Sequence, residues 1–291
     1  MTMTTFKNKL IAAMDLIRIT KQYGTLLLLM PTLWSLVVAA EGTPPLKILA
    51  IFVIGSFLMR SAGCVINDIV DRKFDGHVER TRNRPLPSGR LSIVEATVIF
   101  GLLAAAALAL TARLNPLTQL LSLGGVAIAV IYPFSKRIIS LPQGVMGIAF
   151  GWGSIMAWTA VRNSIELPVV LIFLANLCWA TAYDTIYALM DREDDIRIGV
   201  KSSAILFGRH TWLAVGILFG LSSLFFILLG LTAHLGPAYY LSVFAATGWF
   251  IVQARAIRNP LDRPAAFSLF KSNVGVGLVV LLGLVMNYRL S

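Results

Sequence analysis

The sequence predicts an all-α integral membrane protein in which nine transmembrane helices surround a central cavity. Three observations carry that prediction. The 291-residue chain is 57% hydrophobic and only 13% charged, with a mean hydropathy of +0.78, far from the mixture of a water-soluble domain. Apolar runs of about 20 residues, the length a helix needs to cross a bilayer, recur from end to end. Two acidic clusters close two of those runs and place polar chemistry at one side of the bundle.

The runs follow one another with little between them. A basic segment with Lys7, Lys9, Arg18 and Lys21 leads into the first, 23–40. It superficially suggests a signal peptide, but the apolar stretch is too long and more spans follow, so it reads as a retained helix. The second, 47–66, ends where the first acidic cluster begins, and 92–112, 117–134 and 142–161 come next. The sixth, 166–190, runs into the second cluster, and 210–232, 236–256 and 266–288 complete the set. No low-complexity tract or soluble insert interrupts them. Residues 1–291 therefore read as a single transmembrane catalytic domain, with loops near 68–91 and 191–209 capping the cavity.

With nine spans, 19 of the 25 Lys and Arg residues fall on the amino-terminal side, four on the opposite side, and Arg60 and Lys271 within spans. The positive-inside rule puts that basic side, and both acidic clusters, in the cytoplasm. The net charge of +11 thus reflects topology and anionic lipid. Nucleic acid is excluded as a partner, since the basic residues flank spans and form no soluble patch. Cys64 and Cys178 lie in apolar runs and form no disulfide framework or thiolate metal site.

The first cluster reads Asn67-Asp68-Ile-Val-Asp71-Arg72-Lys73-Phe-Asp75, the second Tyr187-Ala-Leu-Met-Asp191-Arg-Glu-Asp-Asp195. Residues at i, i+4 and i+8 share a helix face, so Asn67, Asp71 and Asp75 are expected to project together, as are Tyr187, Asp191 and Asp195. With Glu79 these segments hold eight of the chain's fourteen acids. Carboxylates so crowded repel one another unless a cation holds them. The candidate ligands are all oxygens, including the Asn67 amide and the Tyr187 hydroxyl, which suits Mg²⁺. His77, His210 and His234 show no zinc-ligand spacing.

Two carboxylate pairs with basic neighbours (Arg72, Lys73, Arg192, Arg197 and Lys201) suggest two Mg²⁺ ions bridging a diphosphate. The Arg80-Thr-Arg82-Asn83-Arg84-Pro85-Leu-Pro87 segment adds guanidinium forks on a proline-stiffened loop. Neither G-x-G-x-x-G nor G-x-x-x-x-G-K-[ST] occurs, so a lipid diphosphate is favoured over a nucleotide. Ionising an allylic diphosphate requires neutralising the leaving pyrophosphate, and a lipid-embedded cavity keeps the resulting carbocation from water.

These motifs resemble the UbiA superfamily of intramembrane aromatic prenyltransferases. The matching stretches are Pro31-Thr-Leu-Trp34, Leu58 to Cys64, Asn67 to Gly89, Tyr132-Pro-Phe-Ser-Lys136-Arg137, Ala182 to Ala188, Asp191 to Asp195 and Lys201 to Gly208. They cover roughly two-thirds of the chain. Ile19-Thr20-Lys21-Gln22-Tyr23 departs from the family's usual Asp and Pro around the Lys.

The resemblance implies the UbiA-type fold in a bacterial inner membrane. It further implies Mg²⁺-dependent transfer of a polyprenyl chain from its diphosphate to the carbon ortho to the hydroxyl of 4-hydroxybenzoate, a step of ubiquinone biosynthesis. Asp71 and Asp75 would carry one metal and Asp191 and Asp195 the other, with Asn67 completing the first site and Asp68 beside it. Arg72, Lys73 and Lys201 would hold diphosphate oxygens. For the acid's carboxylate, Arg137 is the first choice, Lys136 the second, and Arg60 a third. Arg60 precedes Asn67 by seven residues and shares its face; an intramembrane Arg is expensive and usually functional. Asp184 would polarise the phenol or fix Tyr187. A naphthoate, homogentisate or haem acceptor is the alternative within the superfamily. A cation transporter is disfavoured because its acids would sit near mid-membrane, and the D-G-x-x-A-R signature of phosphatidyltransferases is absent.

Overall fold

Every predicted span forms a helix in the computed structural model, which describes residues 3–290 and contains no strand among them. A short α1 (Met3–Leu16) precedes α2 (Tyr23–Ala39), α3 (Leu46–Asp75), α4 (Ile93–Thr111), α5 (Pro116–Ile138), α6 (Pro142–Arg162) and α7 (Leu167–Ala188). Two short helices, α8 (Arg192–Ile198) and α9 (Ser203–Phe207), lead to α10 (Thr211–Thr232), α11 (Pro237–Ala256) and α12 (Arg263–Leu290).

Seven segments are long and apolar enough to cross a membrane, rather than nine. The two remaining candidates are α2 and α11. At 17 residues, α2 rises about 25 Å, short of the roughly 30 Å hydrocarbon core. In α11 the apolar character is diluted by Tyr239, Tyr240, Ser242, Thr247 and Gln253. By contrast α3, with 30 residues, rises about 45 Å and carries the first acidic cluster beyond its apolar part as one continuous helix.

Local chemistry sets the boundaries. Proline opens α5, α6 and α11, where its missing N–H removes only an unpaired donor. Ser92 and Glu95 form a reciprocal capping box at α4, and Asn115 Oδ1 accepts from Thr118 N at 2.9 Å at α5. Asn163 stops α6 with φ 55°.

Central α7 packs against α2, α6, α10 and α12. Trp34 and Trp179 meet at 5.2 Å between ring centroids, and Trp179 and Tyr183 at 5.1 Å. Their indole donors are satisfied: Trp34 Nε1 donates to Gly277 O at 3.0 Å and Trp179 Nε1 to Asn273 Oδ1 at 2.9 Å. Gly277 permits this closeness, since a Cβ there would lie 2.5 Å from Met30 Cγ. Small residues and shared hydrogen bonds of this kind hold helices together where lipid removes the hydrophobic drive between them. Cys64 and Cys178 are free thiols.

Candidate active site

A cavity of about 840 Å³ runs between α2, α3, α4, α5, α6, α7 and α12 and takes in both acidic clusters at one end of the bundle. Its deeper walls are apolar, with Leu28, Phe52, Leu108, Val126 and Met156. Its mouth is polar. Asn67, Asp68, Asp71, Asp75, Asp191 and Asp195 all line it, together with Arg60, Lys136, Arg137, Tyr187 and Lys201.

The first cluster projects as its spacing requires. Lys136 Nζ lies 3.3 Å from both Asn67 Oδ1 and Asp71 Oδ2, so an ammonium occupies the point where these oxygens converge. Arg84 Nη1 donates to Asp75 Oδ2 at 2.8 Å and to Asp68 Oδ1 at 3.0 Å. Asp68, only 1% exposed, also accepts from Arg18 Nη2 at 2.7 and 2.9 Å. Burial works against the charge of Arg84, but Asp68 and Asp75 more than offset it, and its pKa lies above the ordinary arginine value.

The second cluster differs from expectation. Its three residues do not sit on one helix: α7 ends at Ala188, the chain turns, and α8 begins at Arg192 with Asp191 preceding it. The i to i+4 relation survives at one place, where Asp195 N donates to Asp191 O at 2.8 Å. Arg80 of the loop after α3 grips Asp191, Nε donating to Oδ1 at 3.0 Å and Nη2 to Oδ2, and lies 5.3 Å from the Tyr187 ring centroid. Asp195 makes no ion pair with any described residue. Burial, reinforced by the nearby Asp191 charge, pushes its carboxyl up to about 7. Asp194 pairs with Arg263 at 2.8 Å, tying α8 to α12.

Among the described residues no three acidic, histidine or cysteine side chains converge as a ready metal site. The oxygen donors instead face Lys136, Arg84 and Arg80. These cations stand where positive charge is required, and Asp195 is the carboxylate still lacking one. An all-oxygen set of two acids and an amide in one cluster and two acids in the other fits Mg²⁺, which keeps waters and completes its shell with substrate phosphate.

The basic residues divide. Lys201 Nζ donates to Ile138 O at 2.9 Å at the cavity edge. Arg137 Nη2 donates to Val70 O at 2.7 Å and lies 3.7 Å from Asp71 Oδ1, which commits it to the acidic end of α3. Arg72 and Lys73 do not line the cavity. One and two residues past Asp71, they rotate about 100° and 200° away from its face; Arg72 bonds its own helix at Ile69 O (2.8 Å) and Lys73 is exposed. Arg60 stands apart: it lines the cavity and makes no ion pair with any described carboxylate, its Nη1 donates to Cys64 Sγ at 2.5 Å, and its Nε is buried without a partner. Asp184 lines the wall with no hydrogen bond or ion pair to a described residue, so it does not fix Tyr187. Arg80 and Arg84 come from the arginine-rich proline loop whose guanidinium forks the sequence offers for anion binding, whereas nothing in the sequence marks Arg18 as a site residue.

Residues 28–274 match the UbiA prenyltransferase family. The chain belongs to that family. Curated relatives described as 4-hydroxybenzoate octaprenyltransferase occur in Citrobacter koseri, 52% identical over 97% of each chain, and Escherichia fergusonii, 51% identical over 97% of each. Among solved structures, a UbiA homolog from Aeropyrum pernix K1 superposes with a TM-score of 0.76, at 26% identity, covering 89% of this chain and 97% of that one. A UbiA homolog from Archaeoglobus fulgidus, solved with GPP and Mg²⁺, superposes with a TM-score of 0.70 at 17% identity, covering 94% and 99%. The cavity of this chain is split in two: a cap of loops and α8 carries charge, and the helices below supply an apolar chamber.

Proposed function

We infer that this multi-pass membrane protein transfers a polyprenyl group from polyprenyl diphosphate to the ring carbon ortho to the hydroxyl of 4-hydroxybenzoate, in ubiquinone biosynthesis. The observation that carries the reading is the cavity itself. Four carboxylates, Asp71, Asp75, Asp191 and Asp195, line its mouth, the first three paired with Lys136, Arg137, Arg84 and Arg80, and an apolar chamber continues below. A charged head and a long apolar tail match those two zones, and curated relatives about half identical over nearly the whole chain bear this activity in their names.

Asn67, Asp71 and Asp75 would hold one Mg²⁺, and Asp191 and Asp195 a second. When bound, Mg²⁺ neutralises the diphosphate and eases its departure as pyrophosphate. The chain's own cations contribute to the same neutralisation. Arg80, Arg84, Lys136 and Lys201 are positioned to donate to diphosphate oxygens, with charge-assisted bonds stronger than neutral ones. Asp68 is better read as the anchor that orients Arg18 and Arg84. Tyr23, Tyr132, Tyr187 and Phe270 line the wall and exclude water from the allylic cation. Arg60 binds the acceptor's carboxylate, because it is the half-buried cavity cation without an anion of its own and its Nε is buried without a partner. Asp184, lower on the same wall, accepts a hydrogen bond from the phenol and sharpens the nucleophilicity of the ortho carbon.

In this reading the chain acts as one catalytic domain in the bacterial inner membrane with both acidic clusters cytoplasmic, an orientation that the distribution of Lys and Arg supports. Membranes supplied with 4-hydroxybenzoate, a long-chain polyprenyl diphosphate and Mg²⁺ are expected to form the C-prenylated acid, and to lose that activity with EDTA. Product from a naphthoate or homogentisate alone would move the acceptor assignment.

A further inference from the structure

We propose that Gly24 is a positioning residue: it reserves the space in which the Arg60 guanidinium sits and so sets the preference for a carboxylated acceptor. The inference rests on the reading of Arg60 as carboxylate anchor. Gly24 lies buried in the first turn of α2 and lines the same cavity. Its backbone is not in the left-handed region, which among glycines is confined to Gly42, Gly89, Gly199 and Gly208. The chain path at residue 24 therefore accepts any L-residue, and the reason for glycine is space.

The atoms claiming that space belong to Arg60. A Cβ on residue 24 would stand 2.6 Å from Nε, 2.6 Å from Nη2 and 3.0 Å from Cζ. All three are at the far end of a flexible side chain and none is backbone, so a methyl group moves the guanidinium and leaves α2 and α3 in place. The same guanidinium also contacts Cys64 Sγ through Nη1, and its Cζ lies 6.0 Å from the Phe150 ring centroid. Recognition of a carboxylate by a guanidinium relies on a fixed planar fork. A shift of about 1 Å in a positioned group lowers efficiency by up to about 100-fold.

The test compares Gly24→Ala, Arg60→Ala and the double variant in membranes, with 4-hydroxybenzoate and its neutral carboxamide as substrates or competitors. Gly24→Ala is expected to raise KM for the acid by about tenfold or more, to leave KM for polyprenyl diphosphate within about twofold, and to shrink the preference for acid over carboxamide. In the Arg60→Ala background, Gly24→Ala is expected to have no further effect on acid KM. An unchanged acid KM and preference in folded Gly24→Ala protein would overturn the proposal. If Arg60→Ala abolishes the preference while Gly24→Ala keeps it, the anchor stands and Gly24 falls. If Arg60→Ala also keeps it, the anchor reading itself fails. A Gly24→Ala chain that accumulates only together with Arg60→Ala supports the contact; failure in both backgrounds overturns it, because the obstruction is then the backbone.

Discussion

Arg80 and Asp191 are 111 residues apart in sequence and meet in a two-point contact, Nε donating to Oδ1 at 3.0 Å and Nη2 to Oδ2. The contact joins the loop after α3 to the turn between α7 and α8, so the two acidic clusters are coupled through one guanidinium. Lysine offers a point charge and cannot reproduce the fork. Arg80→Lys is expected to raise KM for polyprenyl diphosphate by about 10-fold, the loss of one charge-assisted hydrogen bond worth about 1.5 kcal/mol, with KM for the acid little changed. Steady-state kinetics with each substrate varied in turn check it.

Asp75→Asn and Asp191→Asn keep the size of the side chain and remove its charge. Each is expected to lower kcat by about 10² or more, the scale of losing one electrostatic element of a preorganised site. Folding is expected to persist, since Arg84 and Arg80 each retain an amide oxygen to bond. Turnover close to wild type by either variant, with monodisperse protein on size exclusion, would sink the assignment of these acids to the metals.

Much of this site is legible in the residues alone, and the misses share a cause. The helices could be read because a bilayer demands long apolar runs, and the first cluster because α3 continues unbroken through Asp75. The second cluster has the same spacing, yet α7 stops at Ala188; periodicity alone does not report where a helix ends. Arg72 and Lys73 are near Asp71 in sequence, whereas the cations that reach the carboxylates come from residues 18, 80, 84, 136 and 137. Tertiary pairing of that kind leaves no local pattern. Arg60 was legible as an intramembrane charge, but its lack of an anion partner was not.

That difference separates Arg60 from Arg137. Arg137 is engaged with Val70 O and Asp71, and Arg60 with no carboxylate. Arg60→Ala is expected to raise KM for 4-hydroxybenzoate by about 10- to 100-fold, equivalent to about 1.5–3 kcal/mol for a bond to a charged group. Arg137→Ala is expected to act mainly on kcat by loosening the first cluster. Kinetics in which Arg137→Ala alone moves the acid KM would return the carboxylate site to the end of α5.

Asp195 ties activity to pH. With its carboxyl raised to about 7 by burial and by Asp191, it holds a proton below that pH in the metal-free protein. Binding a divalent ion requires the carboxylate and expels the proton. Affinity is therefore expected to be level above pH 7 and to fall by close to tenfold per unit below it, the slope for one proton released. Titration of Mn²⁺ followed by electron paramagnetic resonance reads this without turnover, and Asp195→Asn is expected to flatten the profile.

The last prediction concerns what keeps the chamber's wall in place. Asn273 on α12 accepts from Trp179 Nε1 at 2.9 Å and donates through Nδ2 to Gln253 Oε1 at 2.9 Å. It thus links α7, α11 and α12, and all three side chains are fully buried. Asn273→Leu keeps the heavy-atom count and branching of the side chain but strands an indole donor and an amide at once. Interhelical hydrogen bonds in membranes are individually modest, about 0.6 kcal/mol on average, because the separated helices find other partners. Two buried groups left unsatisfied together cost more, about 1–3 kcal/mol. Lower thermal stability in detergent is expected, with the KM values of the surviving protein near normal. The reason is geometric: Trp179 packs on Tyr183, and Tyr183 on Phe270, so the network supports the cavity wall from behind without touching either substrate. A large change in KM for one substrate with unaltered stability would place Asn273 in the site instead of behind it.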